Sequence, residues 1–192
     1  MLILASASPR RQELLRNAGM SFVVEAANVD EAVDQGESPE ACVQRLSRLK
    51  AGTVFEANQG RAQVLGADTI VVVGTEILGK PVDAADAARM LRMLSGTEHR
   101  VLTGVCLLTP GSVPREDVRC EATRVTMKVL TEEEIAGYIA TGEPMDKAGA
   151  YAVQGRASRW IPRIEGCYFN VVGLPVALVF EMLQVAGSGS RA

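Results

Sequence analysis

The chain has 192 residues, of which 47% are hydrophobic and 22% are charged, and its formal net charge at pH 7 is −3. These values describe a soluble globular protein of one domain or two small lobes. No window of about 18 apolar residues and no N-terminal signal pattern is visible, so we expect no membrane span, no secretion and a cytoplasmic location. Positive charge is placed singly rather than in runs, so we expect no binding to nucleic acid polymers.

Strands and helices alternate in the predicted first half of the chain. The segment 63–73 has the density of β-branched residues that is typical of a central strand buried on both faces. The predicted elements, in order, are a strand at 2–5, a helix at 9–19, a strand at 21–25, an irregular acidic stretch closed by Gly36, a helix from 38 to about 58, and the strand at 63–73.

The sequence of the second half of the chain also predicts a mixture of strands and helices. In order, they are a short return strand at 77–78, a helix at 83–94, hairpin arms at 100–108 and 116–129, a helix capped by Thr131 that ends near Ala140, a loop-and-strand run at 142–170, and a helix at 174–185. Residues 187–192 are predicted to be a flexible tail, so the domain is expected to span 1–186.

The N-terminal segment has the layout of an anion site. An apolar strand is followed by Ser6 and Ser8, and Ser8 with Pro9 opens a helix whose first N–H groups point at the turn. Arg10 and Arg11 add two positive charges whose planar forks suit phosphate oxygens. A polyphosphate is therefore the predicted ligand. The alternative is an ordinary strand–cap–helix junction with two solvated arginines.

An acid interrupts the predicted central strand at Asp68. A carboxylate buried without compensation is costly, so Asp68 is expected to meet a cation, a metal or a network of donors, or to lie where the strand reaches a cleft. The alternative is that Asp68 only accepts backbone hydrogen bonds at a strand end. Glu31, in the acidic stretch, and Asp68 are together able to hold Mg²⁺, which usually takes one or two carboxylates plus substrate phosphates.

Two lysines differ in what their surroundings predict. Lys50 lies on a predicted helix, where a lysine is usually solvated. Lys80 lies between Gly79 and Pro81 in a tight turn, from which it is better placed to project into a cleft.

The segment 146–155 combines an acid, Asp146, a base, Lys147, small residues and an amide, Gln154. The amide offers the acceptor and donors that complement a pyrimidine edge, although a glutamine more often lies in a loop with its hydrogen bonds made to the protein itself.

His99 is the only histidine and is interpreted as structural. With no second histidine, no C-x-x-C pair and no nucleophile motif, a His-pair metal site and Ser-His or Cys-His nucleophilic catalysis are disfavoured.

Several short blocks, in order and nearly end to end, carry a resemblance to a known family. They are Ala5–Arg11, Asp30–Glu31, Lys50–Ala51, Gly66–Thr69, Gly79–Pro81, Leu94–His99, Gly142–Tyr151, Gln154–Gly155 and Asn170–Pro175. This series resembles that of the Maf family of nucleoside triphosphate pyrophosphatases.

The resemblance implies an α/β fold related to inosine triphosphate pyrophosphatases, with a long mixed sheet and two lobes around a central cleft. It implies cytoplasmic hydrolysis of a nucleoside triphosphate to the monophosphate and pyrophosphate, assisted by a divalent cation, Mg²⁺ or Mn²⁺. The expected partner is this small molecule, with no membrane and no nucleic acid polymer, and a homodimer is allowed.

The resemblance also implies roles for individual residues. Asp68 is expected to be the base and, with Glu31, a metal ligand. Arg10, Thr69 and Gln154 match the branch that prefers dTTP and UTP. The residues expected to bind the substrate are Ser6, Ser8, Arg10, Arg11, Lys50, Lys80, Asp146 and Lys147. The alternative functions are hydrolysis of 7-methyl-GTP or of inosine or xanthosine triphosphate, and non-catalytic nucleotide sensing.

Overall fold

A seven-stranded mixed sheet with helices packed on it forms the fold in the computed structural model, which describes residues 1–188. The strands are β1 (Leu2–Leu4), β2 (Val23–Val24), β3 (Gln63–Val73), β4 (Glu76–Leu78), β5 (Glu98–Thr109), β6 (Arg115–Thr126) and β7 (Arg163–Glu165). The helices are α1 (Pro9–Asn17), α2 (Pro39–Ala57), α3 (Ala84–Leu94), α4 (Glu132–Ile139), α5 (Tyr168–Val172) and α6 (Val176–Ser188).

The order of strands in the sheet is β2-β1-β3-β5-β6-β7, and β4 pairs with β3. β1 runs parallel to both β2 and β3, with Ile3 in register with Val23 on one side and Val64 on the other. The β3–β4 and β6–β7 pairs are antiparallel. The predicted α/β class with a mixed sheet is therefore confirmed.

Local capping signals place the helix starts. The side chains of Ser8, Ser38 and Thr131 accept backbone N–H groups of the first turns of α1, α2 and α4, and Thr131 forms a reciprocal capping box with Glu134. Pro9 lies in the first turn of α1, where its missing N–H costs nothing. These helix starts were predicted from the sequence and are confirmed.

The prediction for 142–170 as loop and strand is wrong in part. Only Arg163–Glu165 is a strand in this run, three 3₁₀ turns lie at Glu143–Asp146, Ala148–Ala150 and Arg156–Trp160, and helix α5 begins at Tyr168. Turns of three to five residues are too short to show a hydrophobic period, so the sequence carries no clear signal for them. Helix α6 runs to Ser188, two residues into the predicted tail, and residues 189–192 lie outside the described part.

The chain divides into two compact units. The first unit comprises Met1–Asp68, Thr103–Glu121 and the segment from Gly173, and the second comprises Thr69–Leu102 and Ala122–Val172. In the first unit, Leu2 and Leu4 enter one apolar cluster and Ile3 enters another, as the two-residue period of a strand requires.

The second unit has its own core. α3 and α4 contribute apolar side chains to it, and the rings of Tyr138 and Trp160 pack edge to face with centroids 5.3 Å apart. No helix within residues 1–188 has the length and apolar character needed to cross a membrane.

Candidate active site

Asp68 lies buried on β3 and meets a cation contributed by α2. The Lys50 Nζ lies 2.6 Å from Asp68 Oδ1 and 2.6 Å from Glu31 Oε1, so one ammonium joins two carboxylates. Lys50 is only 6% exposed, and the expectation that it would be solvated is therefore wrong. The expectation that Asp68 requires a partner is confirmed, and the partner is Lys50.

Two glycines bring α2 close enough to the sheet for this contact. A Cβ on Gly66 of β3 would lie 2.3 Å from the Ser47 carbonyl oxygen, and one on Gly104 of β5 would lie 2.1 Å from the Val43 carbonyl oxygen. Any side chain at either position would therefore push the helix away from the sheet. Lys50 reaches Asp68 because the backbone of α2 lies directly against β3 and β5 at these glycines.

Gly104 was not singled out in the sequence. The signal available was a glycine inside an otherwise apolar strand, which often marks the close approach of another backbone. Such a glycine indicates an approach but not the segment that approaches.

Arg11 holds the N-terminal turn together from inside the first unit. Its Nε donates to the Gly173 carbonyl oxygen at 2.8 Å, and its Nη1 donates to the Ala67 carbonyl oxygen at 2.9 Å and to Ser6 Oγ at 3.1 Å. Burial lowers the pKa of the Arg11 guanidinium, while the Asp68 carboxylate acts in the opposite direction. The alternative of two solvated arginines is therefore wrong for Arg11, which is buried.

The other residues of the N-terminal motif lie at the start of α1. Ser8 accepts the Arg11 N–H at 3.5 Å and so acts as the N-cap, and its own N–H donates to Ser6 Oγ at 3.3 Å. Arg10 is half-buried in the first turn. The motif therefore combines a capped helix start with one buried and one partly exposed guanidinium.

Glu31 and Asp68 have the donor chemistry of a divalent cation site. Each carboxylate contacts the Lys50 ammonium through one oxygen. Within residues 1–188, no group of three or more His, Cys, Asp or Glu side chains could hold a metal ion. Two carboxylates are a sufficient protein contribution for Mg²⁺ when phosphate oxygens complete its coordination.

In the second unit, Lys80 is exposed in the turn after β4. The Gly79 carbonyl oxygen in the same turn accepts the Gly149 N–H at 3.0 Å, which joins this turn to the segment that carries Asp146 and Lys147. Lys147 donates to the Glu143 carbonyl oxygen at 2.8 Å and forms an ion pair with Asp146. Lys147 thus has partners within its own segment, whereas Lys80 is exposed.

Two of the three residues that match the dTTP/UTP branch, Thr69 and Gln154, also fall in the second unit. Thr69 follows Asp68 on β3 and is half-buried, and Gln154 is exposed in a turn. The predicted site residues are therefore divided between the units. Ser6, Ser8, Arg10, Arg11, Glu31, Lys50 and Asp68 belong to the first, and Thr69, Lys80, Asp146, Lys147 and Gln154 to the second.

His99 lies in the core of the second unit, in agreement with its structural interpretation. Its Nε2 lies 2.8 Å from the Tyr151 hydroxyl, and its buried Nδ1 has no hydrogen-bond partner within the described residues. Burial lowers the pKa of His99 to about 4, so the imidazole is neutral at pH 7.

Comparison with known proteins adds a family match. The family model for Maf-like protein matches residues 1–186. The chain is 59% identical over 186 residues to the dTTP/UTP pyrophosphatase of Koribacter versatilis (strain Ellin345), a match that covers 97% of this chain and 94% of that protein. It is 53% identical over 186 residues to the dTTP/UTP pyrophosphatase of Geobacillus sp. (strain WCH70), covering 97% and 98%.

Among solved structures, the chain is similar to the crystal structure of a nucleoside-triphosphatase / dITP/XTP pyrophosphatase from Mycobacterium abscessus. The TM-score is 0.42 and the sequence identity is 16%, with 66% of this chain and 72% of that chain covered.

Proposed function

The chain belongs to the Maf family, and on this basis we propose that it hydrolyses nucleoside triphosphates, preferring dTTP and UTP, to the monophosphate and pyrophosphate. The contacts of Asp68 are the observation that supports hydrolysis. The buried Asp68 is held by Lys50, which also contacts Glu31. A site that only bound a polyanion would gain little from two carboxylates, whereas a hydrolase needs an oriented base.

In the proposed reaction, Asp68 orients a water molecule for in-line attack on the α-phosphorus and accepts its proton. The new bond joins the water oxygen to the α-phosphorus, and the bond from that phosphorus to the oxygen bridging the α- and β-phosphates breaks. Pyrophosphate leaves with the bridging oxygen. Lys50 holds the carboxylate in place through the 2.6 Å contact.

Arg10, Lys80 and the N-terminus of α1 are proposed to bind the triphosphate. Arg10 is half-buried and Lys80 is exposed, and both carry positive charges that suit phosphate oxygens. The capped start of α1 contributes oriented backbone N–H groups and the positive end of the helix dipole. Arg11 adds charge to this region, and its hydrogen bonds hold Ser6 and the backbone in place.

Glu31 and Asp68 are proposed to hold Mg²⁺ or Mn²⁺, with the phosphates of the substrate as further ligands. When bound, such an ion would neutralise charge on the triphosphate and lower the pKa of coordinated water. We also propose a cytoplasmic location, because none of Cys42, Cys106, Cys120 and Cys167 is joined in a disulfide, as is usual in reducing compartments.

The test measures pyrophosphate release from dTTP, UTP, ITP and 7-methyl-GTP in the presence of Mg²⁺. We expect the highest kcat/KM for the two pyrimidine nucleotides. Asp68→Asn should lower kcat by about 10²- to 10⁴-fold, the range carried by a general base, while triphosphate binding is retained. Asp117→Asn is the matched control, because Asp117 is also an ion-paired acid of the first unit, bonded to Arg119.

Three outcomes would contradict the proposal. Release of inorganic phosphate would show attack at the wrong phosphorus, and a preference for ITP would indicate the purine class. Triphosphate binding without turnover would favour a nucleotide sensor.

A further inference from the structure

We infer that Tyr138 and Glu143 position the turn that carries Gln154 and thereby set the base preference; this rests on the proposed function. We call this pair the Tyr138–Glu143 clamp. Neither residue was singled out as a site residue in the sequence, and their role follows from contacts within the second unit.

Gln154 lies near the apex of a tight turn. The Gly155 N–H donates to the Ala152 carbonyl oxygen at 3.1 Å, which closes a four-residue turn with Val153 and Gln154 at its centre. Val153 is buried in the core of the second unit, whereas Gln154 is exposed. The turn therefore anchors one central side chain and presents the other.

The clamp holds the backbone on both sides of this turn. Before the turn, the Ala152 N–H donates to the Tyr138 hydroxyl at 3.0 Å. After the turn, the Arg156 N–H donates to Glu143 Oε1 at 2.9 Å. The Tyr138 hydroxyl in turn donates to the same Glu143 oxygen at 2.9 Å, so one connected network binds both ends.

The clamp also depends on Gly155. A Cβ at this position would lie 2.1 Å from Glu143 Oε1 and 2.7 Å from its carboxyl carbon. Gly155 has an extended backbone with a negative φ, so the absent side chain, not an unusual backbone conformation, is what the site requires. The glycine lets the carboxylate approach the turn closely enough to bind it.

Tyr138 is a rigid support for this network. Its side chain is buried on α4, and its ring packs edge to face on Trp160. Burial also raises the pKa of Tyr138, so the hydroxyl keeps the proton that it donates to Glu143.

The consequence for function follows from how an amide reads a base. Discrimination by hydrogen bonds requires the reading group to be held to within about 0.5 Å of its productive position. An exposed glutamine on an unsupported turn would not meet this requirement. The clamp restrains the backbone of Gln154, and so it acts through Gln154 without contacting the base.

The experiment compares Tyr138→Phe, Glu143→Ala and Glu143→Gln with the wild-type chain. Glu143→Gln keeps a carbonyl oxygen that can accept both hydrogen bonds and is expected to preserve the preference. Tyr151→Phe is the matched control, because it also removes a buried tyrosine hydroxyl from this core, but that hydroxyl contacts His99 and not the turn.

Two readouts are measured on the full chain: the ratio of kcat/KM for UTP to that for ITP, and hydrogen exchange of the Ala152 and Arg156 amides. In Tyr138→Phe and Glu143→Ala we expect the ratio to fall by roughly tenfold, as for the loss of one good hydrogen bond, and both amides to exchange faster. Glu143→Gln and Tyr151→Phe should resemble the wild type in both readouts.

An unchanged ratio in Tyr138→Phe, in a wild type that prefers UTP, would overturn the inference. So would an equal fall in Tyr151→Phe, which would indicate a general packing effect. Unchanged exchange at both amides would refute the clamp whatever the activity. A wild type that does not hydrolyse pyrimidine triphosphates would instead refute the proposed function and the link to base preference, while the exchange data would still decide whether the clamp exists.

Discussion

Replacing Lys50 by methionine is expected to destabilise the protein by about 3–5 kcal/mol, the usual cost of removing one partner of a buried ion pair. The substitution keeps the length and apolar stem of the side chain but removes the ammonium that contacts the buried Asp68 carboxylate. Asp68 and Lys50 are both 6% exposed, so solvent cannot replace the lost contact. Glu31 is about half exposed, so the loss of its ion pair with Lys50 accounts for no more than about 1 kcal/mol of this destabilisation.

The free energy of unfolding is measured by urea titration for the wild type, Lys50→Met, Asp68→Asn and the double variant. The double variant should be more stable than the sum of the single effects predicts, by about 1–3 kcal/mol, because the asparagine no longer leaves a charge buried. Arg48→Met is the matched control on the same helix, and its half-exposed pair with Glu116 should contribute less than about 1 kcal/mol.

Two results would refute this reasoning. One is a loss below about 1 kcal/mol in Lys50→Met, which would mean that the Asp68 carboxylate is readily hydrated in the folded chain. The other is strict additivity of the two substitutions, which would show that the two side chains are not coupled.

Three further predictions concern phosphate binding, packing and pH. Lys80→Ala should weaken binding of UTP but not of uridine in calorimetric titrations at moderate salt, because it removes the proposed phosphate contact; equal weakening of both would contradict this. Gly104→Ala should lower the urea midpoint markedly, since its Cβ would meet the backbone of α2 at 2.1 Å, whereas Gly137→Ala, with nothing within 4 Å, should be neutral or stabilising. Because the pKa of His99 falls from 6.5 to about 4 on folding, the unfolded chain binds more protons in this window. Stability should therefore decrease by up to about 3 kcal/mol as the pH is lowered from 6.5 to 4, and a His99→Gln variant with the same pH dependence would contradict this assignment.

The sequence by itself determined the elements whose signals are local. The bounds of β3 were predicted at 63–73 and observed at Gln63–Val73, because a run of β-branched and apolar residues is a strong strand signal. The starts of α1 and α2 followed from a serine followed by proline, since a cap acts on N–H groups only two or three residues away. The need of Asp68 for a partner was also readable, because the cost of burying a charge does not depend on the fold.

Only the tertiary structure decided which residues meet. Lys50 lies 18 positions before Asp68 on a helix where solvation was the better expectation, and its burial depends on the close approach of α2 at Gly66 and Gly104. The Tyr138–Glu143 clamp lies in and beside a run of short 3₁₀ turns that show no period in the sequence. Contacts between distant segments depend on how closely the segments pack, to within a few tenths of an ångström. Residue order alone does not contain these distances.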